Sequence, residues 1–144
     1  MDGHRRKIDR TILIGWGVIV CAFLLSYLGE VLKGERTPLY FAQFAVTAVV
    51  PYGFCAFRYL KAPEDPNFAV YVTVGYLLMY AFCLLTGHTV MVFSYILPML
   101  SFLVLCHRPR LIAWCGGAAL ALNVISVAVR YHAGEITLSN SKDI

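Results

Sequence analysis

TILIGWGVIVCAFLLSYL, residues 11–28, contains no charged side chain. A helix needs about 20 predominantly apolar residues to cross the hydrocarbon core of a bilayer, and only helices and closed barrels satisfy their backbone there. The apolar run reaches residue 32, admitting a single carboxylate, Glu30, before KGERTP ends it. Four further runs follow, at 39–60, 68–87, 89–106 and 111–129. None alternates apolar and polar residues in the manner of a barrel strand. The first is too long, and lacks the flank, to be a cleaved signal peptide. Short connections (KGERTP, KAPEDPN, Gly87-His88 and HRPR) force successive runs to be neighbours of opposite direction. The pattern predicts an all-α membrane protein, an antiparallel bundle of five transmembrane helices.

Composition points the same way. Hydrophobic residues make up 60% of the chain and charged residues 14%, against about 25% charged in soluble domains. Mean hydropathy is +0.71. A lipid bilayer is the partner this implies. The net charge of +4 does not mark a nucleic-acid binder, because the basic residues punctuate the ends of apolar runs instead of forming a stripe. Cys21, Cys55, Cys83, Cys106 and Cys115 fall one to a run with no CxxC pair, and read as small hydrophobes.

The basic residues orient the bundle. With the N-terminus in the cytoplasm, the inner segments hold Arg5, Arg6, Lys7, Arg10, Arg58, Lys61, Arg108 and Arg110, and the outer ones Lys33, Arg36, Arg130 and Lys142. Cytoplasmic segments of membrane proteins carry the excess of Lys and Arg. The expected organisation is a basic cytoplasmic N-terminus at 1–10, a five-helix domain at 11–132, and an extracytoplasmic tail at 133–144. Glu30 then lies at the outer end of the first helix, where a carboxylate does not bear the full cost of the midplane.

Sorting polar residues by depth places most of them in the outer halves: Ser26, Tyr27 and Glu30; Tyr40, Gln43 and Thr47; Tyr80 and Thr86; Ser94 and Tyr95; Asn123 and Ser126. Polar groups in a membrane normally face the bundle interior. Each can serve as a plain interhelical hydrogen bond, worth about 0.6 kcal/mol, or as belt tyrosine at the interface. Together they describe an outer-leaflet cavity for a small solute, with Glu30, Gln43, Tyr80, Tyr95, Asn123 and Arg130 as the expected ligand-binding residues. Gly116 is expected to allow close backbone approach lower down, with Asn123 and Ser126 facing inward above it. Pro51 and Pro98 lie within runs and are expected to kink them, freeing the carbonyls of Thr47 and Ser94. Glu30 and Arg130 are expected to speak to each other across the mouth.

Catalytic patterns are missing. No carboxylate pair shares a site, His4, His88, His107 and His132 sit at or beyond span ends without metal-ligand spacing, and no phosphate loop or nucleophile elbow occurs. No enzyme activity, metal or cofactor is expected.

The stretches YLGEVLKGERTPLYF (27–41) and GYLLMYAFCLLTGHTVMVFSYILPML (75–100), with the tail GEITLSNSKDI, resemble the N-terminal membrane sensory region of clostridial-type bacterial methyl-accepting chemotaxis proteins, from Gly15 to Asp143. The resemblance implies a receptor input module in a bacterial inner membrane. It also implies a sixth helix and a signalling coiled coil beyond Ile144, so the chain is expected to be a receptor truncated before them, or one acting with another membrane protein or a second copy. Two alternatives stay open: a small transporter, for which Glu30 lies too near the edge, and a structural membrane partner subunit.

Overall fold

The computed structural model describes residues 2–62, 65–86 and 90–132. The Gly87-His88 turn and the tail at 133–144 lie outside the described residues. Every regular element among the described residues is helical: α1 (Asp2–Leu32), α2 (Pro38–Lys61), α3 (Phe68–Thr86), a 3₁₀ segment (Val90–Tyr95), α4 (Ile96–Leu105) and α5 (Pro109–His132). Four of these, α1, α2, α3 and α5, are long and apolar enough to cross a membrane.

Local chemistry sets the boundaries. Gly34 adopts φ +76, the left-handed conformation that ends many helices. Its N–H bonds to Val31 O and that of Glu35 to Glu30 O, both at 3.0 Å, which completes the paired closure of α1 typical of such a glycine. Two residues later Thr37 caps α2, its hydroxyl accepting the Tyr40 N–H at 3.3 Å. Pro38 occupies the first helical position, where no N–H is needed. Before α3, Asp65 Oδ1 accepts the Asn67 N–H at 2.9 Å and Asp65 O accepts that of Phe68.

The fourth apolar run departs from the expected single helix. It divides into six 3₁₀ residues and ten α-helical ones. Pro98 explains the division. An α-helix running back through Ser94 would need an N–H that proline lacks and would drive its ring into the Ser94 carbonyl. Pro98 instead stands in the first turn of α4, where donors have no partner within the helix anyway. Pro51, by contrast, sits inside α2, which continues unbroken to Lys61.

Ring pairs give the directions. Trp16 meets Tyr52 at 5.5 Å, Phe23 meets Phe44 at 6.4 Å and Tyr27 meets Tyr40 at 5.6 Å, so α1 and α2 run oppositely. Tyr40 with Phe82 and Tyr59 with Phe68 reverse α3 against α2. Tyr80 joins Asn123 and Leu84 joins Ser126, so α3 and α5 run the same way. The chain between them therefore travels back along the bundle. Phe102 lies beside Gly15 and Tyr95 on Phe23, which sets that returning segment against α1.

Helix α3 is the hub. Phe68, Val72, Tyr76, Met79, Tyr80 and Cys83 are all essentially inaccessible, as is Trp16 of α1. Gly75 admits this packing: a Cβ there would stand 2.7 Å from the Trp16 ring and 3.0 Å from Pro51. Pro51 thus marks the close approach of α2 and α3. Gly116 does not play the expected part, since nothing lies within 4 Å of where its Cβ would be. Close contact with α1 is made instead at Gly15, by Phe102, and at Gly17, by Tyr52.

Candidate functional site

These directions sort the charges onto two ends. One, the basic end, collects Arg6, Lys7 and Arg10 from α1, Arg58 and Lys61 from α2, and Arg108 and Arg110 around the start of α5. The other, the far end, is where α1, α3 and α5 finish and α2 begins. Lys33, Arg36 and Arg130 lie there.

At the far end the polar chemistry gathers around the last turn of α3. The final carbonyls of a helix have no partner within it and carry the negative end of its dipole. Leu84 O accepts from Ser126 Oγ at 3.2 Å and from Arg130 Nη2 at 3.1 Å. Thr86 O accepts from Arg36 Nη1 at 3.4 Å. The Thr86 hydroxyl donates to Phe82 O at 2.6 Å and stands 2.9 Å from the Tyr40 hydroxyl, so Tyr40 is the donor of that pair. Side chains from α2, from the α1–α2 loop and from α5 thus converge on the end of one helix.

Arg36 is the most connected of them. Its Nε meets Glu30 Oε2 at 2.5 Å. Its guanidinium carbon lies 4.3 Å from the Tyr40 ring centre and 5.5 Å from that of Tyr27, within the range of cation–π attraction. The Arg36 side chain is only 16% exposed. Below it, Tyr27 packs on Phe44 at 4.5 Å and directs its hydroxyl to Cys83 Sγ at 3.8 Å.

A second group lies along α5. Asn123 Nδ2 donates to the Tyr80 hydroxyl and to Ala119 O, each at 2.8 Å. Tyr80 is buried, and so is Ser126. Deeper still, the Tyr76 hydroxyl donates to Tyr95 O at 2.6 Å, which ties α3 to the end of the 3₁₀ segment.

Of the six expected residues, the structure brings Tyr80 and Asn123 into direct contact. Glu30 takes Arg36 as its ion-pair partner, and Arg130, expected to face Glu30, reaches Leu84 O instead. The reason is the glycine closure at Gly34, which turns the chain back so that residue 36 returns to the last turn of α1. Tyr95 contributes its main-chain carbonyl to Tyr76 and its ring to Phe23 at 4.5 Å. Gln43 does not face inward: its side chain is exposed on the outer surface of α2, and its carbonyl accepts the Thr47 hydroxyl at 2.8 Å. Arg36 and Tyr76 were not among the expected site residues. KG followed by a charged pair was the available signal for Arg36. The i,i+4 spacing of Tyr76 and Tyr80 marked the α3 face but not the partner of either hydroxyl.

All five cysteines are free thiols. Among the described residues no group of three His, Cys, Asp or Glu side chains is arranged to hold a metal ion. No protein-family model, curated protein or solved structure matches this chain.

Proposed function

We propose that the chain crosses a bacterial inner membrane five times, N-terminus inside, as the sensory input module of a chemoreceptor-like protein that reads a small solute at its outer face. The observation that carries this reading is the concentration of interhelical polar contacts at one end. There α1, α2, α3 and α5 are joined through Glu30, Arg36, Tyr40, Thr86, Tyr80, Asn123, Ser126 and Arg130. A solute that exchanges contacts with these groups shifts the bundle between packings, provided its affinity for the two differs.

Five crossings are supported by geometry and charge. Six 3₁₀ residues at about 2.0 Å rise and ten α residues at about 1.5 Å extend about 27 Å, close to the ~30 Å of a hydrocarbon core. The parallel course of α3 and α5 needs such a return. The basic end holds the larger share of Lys and Arg, which favours placing it in the cytoplasm and the far end outside.

The pairing of Glu30 with Arg36 favours a sensor over a transporter driven by that carboxylate, because a transporter needs it free to exchange a proton for substrate. The test is a fusion: the chain continued after Ile144 by a sixth apolar span and a methyl-accepting signalling hairpin. Output that changes with external solutes is expected. A fusion that inserts correctly but is silent to a broad solute panel, while driving proton-coupled flux in vesicles, would favour the transporter.

A further inference from the structure

Arg36 stands in the far end as a ligand stands in a site. Its charged head is carried there on a short loop, and the groups that receive it belong to the helices. From this arrangement we infer that Tyr27, Tyr40, Glu30 and the Thr86 carbonyl form a binding site for a small guanidinium-type cation, which the protein's own Arg36 fills when no ligand is present. This names the ligand class for the sensory end and rests on that reading.

Walls and occupant differ in how they are held. Tyr27 is 7% exposed and wedged against Phe44. The Tyr40 hydroxyl is fixed on Thr86, which is itself bonded to Phe82 O. The occupant sits on the loop of residues 33–37, whose other members are all exposed and which turns at Gly34. Removing the guanidinium therefore requires rearranging the loop and leaves the helical walls standing.

The chemistry selects the class. Aromatic faces and a carboxylate together attract an organic cation. The carbonyl of Thr86, close to the carboxylate, asks for a second N–H donor on the same plane, which a guanidinium has and a quaternary ammonium lacks. The tether also leaves room for a better fit. Arg36 offers Nε to Glu30 and reaches Thr86 O at a long 3.4 Å, whereas a free guanidinium can set two parallel N–H groups on the carboxylate. A tethered competitor acts at an effective concentration in the mM range, so the site answers only to external cation that outcompetes it.

The experiment uses the full chain in phosphatidylglycerol nanodiscs, which present no cationic headgroup, with methylguanidinium as the probe and near-ultraviolet circular dichroism of the tyrosines as the readout. The wild type is expected to show a saturable change that urea, the neutral analogue, does not produce. Arg36→Ala is expected to bind about tenfold or more tightly, since its competitor is gone. Adding Glu30→Gln to that variant should abolish binding. Equal affinity with and without Arg36, binding indifferent to Glu30, or a response matched by urea would each overturn the proposal. If Arg36→Ala does not fold, Arg36→Gln takes its place, and absence of a saturable, methylguanidinium-specific change in the wild type overturns the proposal by itself. Binding here with a silent signalling fusion would refute the sensory reading and keep the site. A fusion that responds to other solutes, with no methylguanidinium binding, would do the reverse.

Discussion

At the basic end Arg58 pairs with Asp65 and lies 5.4 Å from the Tyr71 ring centre; at the far end Arg36 pairs with Glu30 and lies 4.3 Å from Tyr40. The parts are the same, but they join different things. Arg58 and Asp65 are seven residues apart and close the turn between two consecutive helices, α2 and α3. Arg36 touches α1 through Glu30 and Tyr27, α2 through Tyr40 and α3 through Thr86 O. The first arrangement finishes a turn. The second reaches three helices at once, and α5 is drawn to the same α3 terminus by Ser126 and Arg130. An arginine–carboxylate pair over a tyrosine is therefore no sign of function in itself; the number of elements it ties together is what separates the two ends.

Removing the carboxylate from each pair tests that difference, and the largest effect is expected at the far end. Glu30→Gln leaves a guanidinium that is 16% exposed without its counter-charge. The expected loss is about 2 kcal/mol of unfolding free energy in mixed detergent, between the ~1 kcal/mol ceiling of surface pairs and the 3–5 kcal/mol of buried ones. Asp65→Asn removes the counter-charge of an arginine that is 38% exposed and keeps an oxygen for the Asn67 N–H, so it should cost less than Glu30→Gln. Combining Glu30→Gln with Arg36→Gln should recover about 1 kcal/mol of the summed losses, whereas Glu30→Gln with Arg130→Gln should be additive within ~0.5 kcal/mol. Coupling of Glu30 to Arg130 in place of Arg36 would undo the contrast between the ends.

Much of the architecture was legible in the sequence because a bilayer leaves few choices. Apolar run lengths located α1, α2, α3 and α5 to within a few residues, apart from the start of α1, which continues through the basic segment back to Asp2. The division of the fourth run was less legible, since hydropathy is blind to whether VMVFSY winds as α or 3₁₀, and only Pro98 hinted at it. Depth sorting singled out Tyr80 and Asn123, which meet in a hydrogen bond between α3 and α5, because both are polar on faces that the 3.6-residue period turns inward. It failed for Gln43, which the same period places one face away from the buried Phe44 and Ala48. It also paired Glu30 with the wrong arginine, because end-to-end depth says nothing about which helix lies beside which. Gly34 held that information locally: a left-handed residue after α1 returns the chain toward Glu30.

A smaller effect sharpens the contrast within the far end. Tyr80→Phe removes the acceptor of the Asn123 amide but leaves the amide its bond to Ala119 O. The expected cost is about 0.6 kcal/mol, the usual worth of one interhelical hydrogen bond in a membrane protein. A loss as large as that of Glu30→Gln would mean the α3–α5 contact matters as much to this end as the Arg36 ion pair does.

The proposed path of the chain through the bilayer underlies the functional reading, and accessibility to a membrane-impermeant maleimide measures it most directly. In a background with the native cysteines replaced, Glu35→Cys and Tyr131→Cys, both at exposed positions, should be labelled from outside intact cells, and Lys61→Cys and Arg110→Cys only after permeabilisation. Residues 35 and 131 share a side only if the segment between α3 and α5 crosses, as the parallel course of those two helices requires. Labelling of Glu35→Cys with protection of Tyr131→Cys would contradict the fifth crossing and the account of the far end built on it.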